Sequence, residues 1–263
     1  MLATVVGAAQ LKGHEYVVEV GAGLGTLTEA LARRCYRLHT FELDERLVRY
    51  LEGWVLPDAR NVVLHDIAFN KYKLEEIISE AQHAGRPLII VTNLPYQVSA
   101  MFLHAVVKYT PPLALTVVML QREVAQRITA TVGQASYSSF SIYVQSLLQT
   151  RWICDVPAHA FYPEPKVKSA VVTLAPKPVE EHLVPRDYQL FFTLVERVFK
   201  HRRKMIKRAL VLAFPALSLE QSVSLLAAAN IIPEQRPQQL SPADYLRLAQ
   251  VLTEQGVSAP DSC

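Results

Sequence analysis

The stretch Glu19-Val-Gly21-Ala-Gly23-Leu-Gly25-Thr26 decides the fold of this chain. It closes an apolar run at residues 16–20, which predicts a buried strand, and it opens a helical pattern at residues 26–34. Glycines at such a strand-to-helix turn allow a tight turn and let the backbone approach a ligand closely. The G-x-G-x-G spacing, with Thr26 where the dinucleotide-binding fingerprint has Gly or Ala, argues against a nicotinamide site and leaves a purely structural turn as the alternative.

Short apolar runs alternate with helical patterns through the first two thirds of the sequence. This alternation predicts an α/β fold built on a doubly wound, mostly parallel sheet with helices on both faces. Two further extended segments follow, residues 152–156 and 168–174. The Pro-rich link between them is too short for a crossover helix, so they are expected to pair antiparallel. The strands predicted before them are residues 16–20, 38–41, 62–64, 87–92 and 113–120.

A change of pattern near Pro176-Lys-Pro178 divides the chain, because strand patterns stop there and helical periodicity continues. We therefore predict two domains. Residues 1–178 form the α/β domain, and residues 179–263 form a small all-helical C-terminal domain. The predicted C-terminal helical segments are residues 187–214, 218–230 and 242–255.

The composition is that of a folded protein rather than a disordered or membrane-spanning one. Of 263 residues, 51% are hydrophobic and 19% are charged, and no apolar run approaches the roughly 20 residues of a membrane-spanning helix. The apolar N-terminus lacks the basic region of a secretory signal. Cys35, Cys154 and Cys263 are scattered without metal-ligand spacing, which predicts a reducing, cytoplasmic location and no structural metal.

Polar side chains occur where successive predicted strands end. Glu42 ends the second strand, 21 residues after Gly21, where open α/β sheets place a carboxylate that accepts both ribose hydroxyls of an adenosine-containing cofactor. Asp66 follows the third strand and can accept from an adenine amino group, although a helix N-cap is an alternative. Asn93 ends the fourth strand. Because ligands of such sheets bind outside the carboxyl ends of the strands, these features together predict a nucleoside site.

The segment Asn93-Leu94-Pro95-Tyr96 adds a second kind of chemistry behind the fourth strand. The Asn93 amide and the neighbouring backbone carbonyls can accept hydrogen bonds from an exocyclic amine. Pro95 fixes the local backbone, and the Tyr96 ring offers a flat face on which a nucleobase can stack. The segment therefore predicts a pocket for the amine of a base.

Positive charge is concentrated in the C-terminal third of the chain. Residues 1–185 carry 17 Lys and Arg against 17 Asp and Glu, whereas residues 186–263 carry 10 against 7. Much of the excess lies in Lys200-His-Arg-Arg-Lys-Met-Ile-Lys-Arg208, with six Lys and Arg in nine positions. Such a run is either the solvated face of an amphipathic helix or a phosphate-contact patch. Taken alone, the run favours neither.

These motifs resemble those of the ribosomal RNA adenine dimethyltransferases, which methylate two adjacent adenosines of the small-subunit RNA. The resemblance covers nearly the whole chain. Its most discriminating part is Phe161-Tyr-Pro-Glu-Pro-Lys-Val-Lys-Ser169, which is similar to the family's F-x-P-P-P-K-V-x-S segment. The related enzymes that give erythromycin resistance share the other segments more than this one. Those segments are Val18-Glu-Val-Gly-Ala-Gly-Leu-Gly25, Phe41-Glu-Leu-Asp44, Asn93-Leu-Pro-Tyr96 and Met119-Leu-Gln-Arg-Glu-Val-Ala-Gln-Arg127.

The resemblance implies a Rossmann-like methyltransferase fold, with S-adenosylmethionine as the methyl donor and no metal. Tyr96 would stack on the target adenine, and Phe161 would close over the opposite face of that base. Asn93, with the carbonyl of Leu94 or Pro95, would hold the adenine amine. The residues implied to hold the cofactor are Gly21, Gly23, Glu42, Asp66, Ile67 and Asn93.

With this resemblance, the basic run is better interpreted as phosphate contact from the helical domain. The implied partner is small-subunit ribosomal RNA or the pre-assembled small subunit, bound by a monomer. The residues predicted to contact RNA are Lys166, Lys200, Arg202, Arg203 and Lys204. Trp54 and Trp152 are interpreted as packing residues.

The sequence departs from the family pattern in three places. It does not contain the G-Q-N/H-F-L segment with which family members normally start, and Met1 enters near the end of the helix that follows that segment. Either the start is truncated or the protein works without this arm. Gln97 stands where the family's N-L-P-Y-N-I-S has its second Asn. Tyr137-Ser-Ser-Phe-Ser141 replaces Y-G-R-L-S and removes an arginine that could contact RNA.

Three functions remain open at this point. The leading one is dimethylation of adenosines in small-subunit RNA during ribosome assembly. A large-subunit adenine methylase of the antibiotic-resistance kind is a near relative, but the segment at residues 161–169 and the long helical tail argue against it. A non-catalytic RNA-binding assembly factor with the same fold is the alternative from a different class.

Overall fold

The computed structural model describes residues 1–94, 99–108, 113–161, 164–177 and 188–257. No helix among these residues is both long and apolar enough to span a membrane. The strands are β1 (Tyr16–Val20), β2 (Arg37–Glu42), β3 (Val62–Asp66), β4 (Leu88–Asn93), β5 (Leu113–Gln121), β6 (Leu148–Val156) and β7 (Ser169–Pro176). The α-helices are α1 (Leu2–Ala8), α2 (Thr26–Ala32), α3 (Glu45–Tyr50), α4 (Lys71–His83), α5 (Ser99–Lys108), α6 (Arg122–Thr129), α7 (Ser139–Leu147), α8 (Tyr188–Lys200), α9 (Ile206–Ala213), α10 (Leu219–Ala228) and α11 (Pro242–Glu254).

Seven strands form one mixed sheet in the order β3-β2-β1-β4-β5-β7-β6. The pairs among β1 to β5 are parallel, and β7 runs antiparallel to both of its neighbours, β5 and β6. The prediction of a doubly wound, mostly parallel sheet with an antiparallel final strand is therefore confirmed. Because the strand order reverses between β1 and β4, their carboxyl ends flank the crevice in which open α/β sheets bind ligands.

Helices α1 and α2 cover one face of the sheet and complete a continuous apolar core. Val17, Leu38 and Val91, on three neighbouring strands, are buried and pack with Val5 of α1 and Leu31 of α2. Strands that are covered on both faces have continuous apolar sequences, as these strands do. Burial of each such side chain contributes about 2 kcal/mol. This packing therefore fixes the positions of the carboxyl ends of these strands relative to one another.

The chain divides into two compact units that are not contiguous in sequence. Helix α7 belongs with the C-terminal helices although it precedes β6 and β7, and the Tyr137 hydroxyl before it donates to the Leu240 carbonyl at 2.9 Å. No sequence pattern indicated that a segment before β6 belongs with the C-terminal helices. The domain boundary predicted at residue 178 stays a prediction. The units are Met1–Ala125 with Leu148–Pro176, and Gln126–Leu147 with Lys177–Cys263.

The helical pattern predicted over residues 187–214 is interrupted, so the prediction of one continuous helical segment there is wrong. Helix α8 ends at Lys200 and α9 begins at Ile206, with a turn between them. Met205 has extended backbone angles (φ −61°, ψ 146°), and the Ile206 N–H donates to the Gln235 carbonyl at 2.6 Å instead of continuing the helix. The basic run therefore lies mostly on an exposed turn rather than along one helix face.

A second difference concerns Trp54. Helix α3 continues into one π-helical turn, Leu51–Val55, and Trp54 on this turn is 80% exposed. The wider turn shifts the helical register and directs the indole to solvent. The interpretation of Trp54 as a packing residue is therefore wrong. Trp152, on the edge strand β6, is half-buried, and its ring lies 5.8 Å from the Arg122 guanidinium.

Candidate active site

The glycine loop joins β1 to α2 and is hydrogen-bonded to the end of β2. The N–H groups of Gly21 and Ala22 both donate to the Phe41 carbonyl, at 2.8 and 3.1 Å. Gly21, Gly23 and Gly25 have φ of 80°, 59° and 80°, a region in which other L-residues are strained. The loop therefore needs glycine for its backbone conformation, and it brings β1 and β2 together at the carboxyl edge of the sheet.

Gly25 must also lack a side chain because of its neighbours. An added Cβ would lie 2.7 Å from Val55 Cγ1 and 2.8 Å from Leu51 Cδ2. We expect Gly25→Ala to lower the free energy of unfolding by about 3 kcal/mol, partly from the positive φ and partly from the clash. Urea unfolding followed by circular dichroism measures this loss.

Gly23 is the matched control, because its φ is also positive but nothing lies within 4 Å of an added Cβ. Gly23→Ala should therefore lose only the backbone part, about 1–2 kcal/mol. Val55→Ala combined with Gly25→Ala should show a favourable coupling energy, since it removes the two Val55 methyl groups near the added Cβ, although Leu51 Cδ2 stays in place. Equal losses for the two glycine variants would contradict the close approach at Gly25.

The Glu42 carboxylate is half-buried at the end of β2 and contacts the glycine loop. Its Oε2 accepts from the Gly23 N–H at 2.8 Å, and its Oε1 accepts from the N–H groups of Leu43 at 2.8 Å and Asp44 at 3.0 Å. A carboxylate has about four lone-pair sites. These three bonds therefore orient the carboxylate and leave it able to accept a hydrogen bond from a ligand.

A cavity of about 200 Å³ opens beside Glu42 at this edge of the sheet. Four of the predicted site residues, Gly21, Glu42, Ile67 and Leu94, form part of its wall. They come from the end of β2 and from the segments that follow β1, β3 and β4, so the cavity lies where the strand order reverses. The other lining residues are Val20, Phe41, Leu43, Ala68, Phe69 and Phe102.

Three phenylalanines that the sequence prediction missed form an apolar part of this wall. The Phe69 ring is edge-on to the Phe41 ring, with 5.4 Å between the ring centroids. The Phe102 ring is tilted relative to the Phe69 ring, with 5.9 Å between their centroids. Phe41 directly precedes Glu42, and Phe69 lies three residues after Asp66. Both could therefore have been predicted as site residues from their positions beside strand ends. Phe102 comes from α5, and nothing in the sequence connects it to the site.

Asp66 lies at the end of β3, where it is the register partner of Glu42. It is exposed and directly precedes Ile67, which lines the cavity. The alternative interpretation of Asp66 as a helix N-cap is wrong, because Asn70 occupies that position on α4 and accepts from the Lys73 N–H at 3.1 Å. Asp66 is therefore free of a capping role and stands at the rim of the cavity.

Asn93 ends β4 and is exposed, on the opposite side of β1 from Glu42 and Asp66. The Thr92 hydroxyl beside it donates to the Val20 carbonyl at 2.7 Å, which ties the end of β4 to the end of β1. The predicted amine acceptor thus lies at the same sheet edge as the predicted ribose acceptor. Pro95 and Tyr96 lie outside the described residues.

Phe161 and Lys166 lie in the link between β6 and β7. Phe161 is half-buried and packs against the core cluster that contains Val5 and Leu31, and it is not among the described residues that line the cavity. Its closure over a bound base stays a prediction. Lys166 is exposed and belongs to the same unit as the cavity, whereas the basic turn belongs to the other unit.

Arg202, Arg203 and Lys204 are exposed on the turn after α8. Within the part of the chain that the structure describes, no carboxylate lies within ion-pair distance of them. Lys200 differs, because it pairs with Glu196 at 3.2 Å. Unpaired exposed cations keep their full charge for a polyanion, and three adjacent ones form a concentrated phosphate-binding surface.

Glu19 is a buried carboxylate beneath the glycine loop, with 0% exposure. Its Oε2 accepts from the hydroxyls of Thr28 at 2.7 Å and Thr40 at 2.8 Å. Burial and, to a lesser extent, the charge of Glu42 raise the pKa of Glu19 to about 7, although the hydrogen bonds from the two hydroxyls lower it. Its place in the glycine motif was evident from the sequence, but its enclosure was not.

The whole chain is similar to a set of RNA methyltransferases. Residues 1–254 match the family model described as ribosomal RNA adenine dimethylase. The ribosomal RNA small subunit methyltransferase A of Pediococcus pentosaceus is 35% identical over 94% of this chain and 84% of its own length. The protein of the same name from Levilactobacillus brevis is 32% identical over 98% of this chain and 87% of its own.

Two solved structures have the same fold. A dimethyladenosine transferase from Plasmodium falciparum superposes with a TM-score of 0.81 at 22% identity, over 97% of this chain and 96% of that one. The 23S rRNA methyltransferase ErmE superposes with a TM-score of 0.71 at 22% identity, over 96% of both chains.

The sheet order, the glycine loop and the cavity at the strand reversal together define a Rossmann-like methyltransferase. The match to the family model and the relatives above 30% identity extend over nearly the whole chain. The chain belongs to the ribosomal RNA adenine dimethylase family. The resemblance drawn from the sequence motifs is thereby confirmed.

Proposed function

We propose that this chain transfers methyl groups from S-adenosylmethionine to the N6 atoms of adenosines in small-subunit ribosomal RNA and forms N6,N6-dimethyladenosine during ribosome assembly. One observation carries the proposal. A cavity walled by Gly21, Glu42 and Leu94, with Asn93 beside it, lies at the carboxyl edge of a methyltransferase sheet. The relatives named for the small subunit support the choice of RNA.

The cavity residues fit the adenosine part of the cofactor. Glu42 would accept the ribose hydroxyls, Ile67 would pack against the adenine, and Asp66 at the rim would accept from the adenine amino group. The volume of about 200 Å³ is below the roughly 300–1,000 Å³ of sites that enclose a whole ligand. We therefore assign the methionine part to the surface of the glycine loop at Gly21 and Gly23.

Asn93 and its neighbours would position the reacting nitrogen. Adenine N6 is a poor nucleophile, because its lone pair is delocalised into the ring. The Asn93 side-chain oxygen and the carbonyl of Leu94 or Pro95 would accept hydrogen bonds from the two N6–H groups and favour a pyramidal nitrogen. Bound S-adenosylmethionine supplies a methyl group that its positive sulfur already activates. Positioning then provides most of the acceleration, and no strong base is needed.

Tyr96 and Phe161 would hold the two faces of an unpaired or flipped base, which single-stranded RNA loops provide. The partner is small-subunit RNA or the pre-assembled small subunit, and the protein acts as a monomer. A cytoplasmic location is part of the proposal, and the free thiols of Cys35 and Cys154 agree with a reducing compartment. Among the described residues, no group of three His, Cys, Asp or Glu side chains could hold a metal ion.

A methyl-transfer assay tests the proposal directly. Small subunits from a source that lacks this methylation, and large subunits in a parallel reaction, are incubated with the protein and labelled S-adenosylmethionine, and each RNA is digested to nucleosides for mass spectrometry. We expect N6,N6-dimethyladenosine in the small-subunit RNA. Label found only in large-subunit RNA would favour a methylase of the resistance kind. RNA binding without methyl transfer would favour a non-catalytic assembly factor.

The basic turn should carry a measurable share of RNA binding. Replacement of Arg202, Arg203 and Lys204 by alanine should weaken binding to small-subunit RNA by a similar factor for every RNA sequence tested. A plot of the logarithm of the association constant against the logarithm of the salt concentration has a negative slope. The variant should reduce the magnitude of this slope by about 2–3, because each phosphate contact contributes about 0.7–0.9. Fluorescence anisotropy at several salt concentrations measures both quantities.

A triple alanine variant of Arg33, Arg46 and Arg49 is the matched control for charge. Each of these guanidinium groups lies within 4.0 Å of a carboxylate, so their charges are already compensated. We expect a much smaller change of slope from this variant. An equal change would show that net charge, rather than the basic turn, governs the affinity.

A further inference from the structure

A connected set of aromatic rings leads from the amino end of β1 to the cavity beside Glu42. The His39 ring is stacked against both Tyr16 and His65, with 6.1 and 5.3 Å between the ring centroids. His65 is in turn stacked on Phe41, with 4.5 Å between the centroids and 22° between the ring planes. Because Phe41 lines the cavity, these contacts connect a pair of histidines to the wall of the site.

The ring nitrogens give the two histidines a defined arrangement. Nδ1 of His39 lies 3.1 Å from Nε2 of His65, so in the neutral pair one ring donates and the other accepts. Nε2 of His39 is buried without a hydrogen-bond partner among the residues that the structure describes, and it lies 3.6 Å from Oε2 of Glu80 on α4. The carboxylate favours a proton on this nitrogen. His39 therefore accepts at Nδ1, and His65 donates to it.

The surroundings of the pair favour its neutral form. His39 is 3% exposed, and burial, followed by the charges of neighbouring basic groups, lowers its pKa to about 4. Burial also lowers the pKa of His65, and Lys73 acts in the same direction, whereas two carboxylates of α4 oppose it. The titratable and charged groups that face the pair are Tyr16 on β1, Arg37 on β2, and Lys73, Glu76 and Glu80 on α4.

We propose that His39 and His65 are positioning residues for the adenosine part of the cofactor: the neutral pair holds the Phe41 ring in the cavity wall, and the pair releases this ring when it takes up a proton. Neither histidine is among the described residues that line the cavity, so both act through Phe41. The inference rests on the proposed function, because it concerns the cavity assigned to S-adenosylmethionine.

A proton on the pair changes the contact with Phe41 in a definite direction. It makes His39 an imidazolium, and Glu80 attracts this cation through the ring nitrogen that points away from His65. The His65 ring is hydrogen-bonded to His39 and follows it, which weakens the stacking on Phe41. The Phe41 carbonyl also accepts from the glycine loop at Gly21, so a shift of this residue changes the site.

The proton linkage has one sign. Both histidines have a pKa below the ordinary value of about 6.5, so the ligand-free protein takes up these protons only at acidic pH. A ligand that needs the neutral pair lowers the pKa of the pair further, because the coupling is reciprocal. Ligand affinity must therefore be independent of the pair at neutral pH, and it must fall as the pH falls from about 6.5 toward 4.

Calorimetric titration of the wild type and His65→Phe between pH 4.5 and pH 8 tests the linkage, with S-adenosylmethionine and S-adenosylhomocysteine as separate ligands. His65→Phe keeps a ring against Phe41 but cannot take up a proton. The ratio of the two dissociation constants cancels the titration of the ligand and of Glu42 and Asp66. We expect nearly equal affinities at pH 8. Toward pH 4.5 the wild type should lose about five- to tenfold more affinity, which corresponds to a pKa lowered by up to about one unit on binding.

Two further variants separate the positioning of Phe41 from a general loss of structure. His65→Gln keeps an N–H donor for His39 but lacks the ring, so it should bind both ligands more weakly than His65→Phe at every pH. His83→Gln is the matched control, because His83 is an exposed histidine of α4 whose Nδ1 lies 2.7 Å from the Ser79 carbonyl oxygen. It should keep the wild-type profile. Thermal unfolding at each pH shows that each ligand-free protein is folded.

A nuclear magnetic resonance titration of the histidine rings tests the same linkage in the wild type, without any substitution. The signals of His39 and His65 are followed against pH with and without S-adenosylhomocysteine. We expect the ligand to lower the pKa of the pair and to leave that of His83 unchanged.

The outcomes are distinguishable. Equal pH dependence of the wild type and His65→Phe would overturn the inference, and so would a pKa of the pair that the ligand leaves unchanged. An effect seen with S-adenosylmethionine but not with S-adenosylhomocysteine would also overturn it, because the cause would then be repulsion of the sulfonium and not the position of Phe41. Absence of binding of either ligand to the folded wild type at every pH would instead contradict the proposed function.

Discussion

Replacement of Asn93 by alanine is expected to lower kcat for methyl transfer by about 100- to 1,000-fold, as removal of one positioned hydrogen-bonding group from a transition state does elsewhere. Asn93 ends β4 at the carboxyl edge of the sheet, and Thr92 ties that strand end to β1 at 2.7 Å. Its amide is thus held on a rigid element where N6 of a bound adenine would lie. Single-turnover methyl transfer on undermethylated small subunits measures the effect.

The affinity for S-adenosylmethionine should change much less than kcat in this variant, because in the proposed site Glu42 would hold the adenosine part and the glycine loop the methionine part. Asn61→Ala is the matched control. The Asn61 amide donates to the carbonyls of Ala32 at 2.8 Å and Cys35 at 3.1 Å, at the opposite end of the sheet. Its loss should lower stability by about 1–2 kcal/mol and leave kcat intact at temperatures where the protein is folded. Full activity of Asn93→Ala would refute the mechanism.

Replacement of Glu42 by alanine is expected to raise the dissociation constant of S-adenosylmethionine about 100-fold. Hydrogen bonds to a charged acceptor contribute about 1.5–3 kcal/mol each, and Glu42 would accept from the ribose while it also fixes Gly23 at 2.8 Å. A loss of about 2.7 kcal/mol corresponds to this factor. Calorimetric titration of the folded variant measures it, without any contribution from turnover.

Glu45→Ala is the control for this experiment. Glu45 is an exposed carboxylate three residues away, in the first turn of α3, and its partner is Arg49 at 3.6 Å. Its replacement removes the same charge from the same region but touches neither the loop nor the cavity, so the affinity should stay within experimental error. If both variants lost affinity equally, the effect would come from the local charge and not from a bond to the ribose.

The strand alternation and the glycine motif were sufficient to predict the mixed sheet, because a strand covered on both faces is apolar along its length and the turn from β1 to α2 has positive φ at three glycines. The end of β2 at Glu42 and the end of β4 at Asn93 followed from the same patterns. The break after Lys200 did not follow, since residues 187–214 keep a helical apolar spacing across it. At the start of α9 the Ile206 N–H donates to the carbonyl of Gln235, a partner that is distant in sequence.

For the candidate site, the polar residues were predictable and the apolar wall was not. Glu42 and Asp66 stand at strand ends, a position that sequence reveals through the preceding apolar run. Phe102 reaches the cavity because α5 packs against β5, and the exposure of Trp54 depends on a π-helical turn. Neither arrangement leaves a periodic signal in the sequence.

By itself, the sequence determined the class of fold, the order of the strand ends that carry Gly21, Glu42, Asp66 and Asn93, and the resemblance to the adenine dimethylases. These depend on local periodicity and on short motifs, which the chain carries in linear order. Tertiary structure alone decided the enclosure of Glu19, the close approach of Val55 to Gly25, and the grouping of α7 with the C-terminal helices. The physical reason is that burial and contact are properties of segments distant in sequence, and they exist only once those segments have packed together.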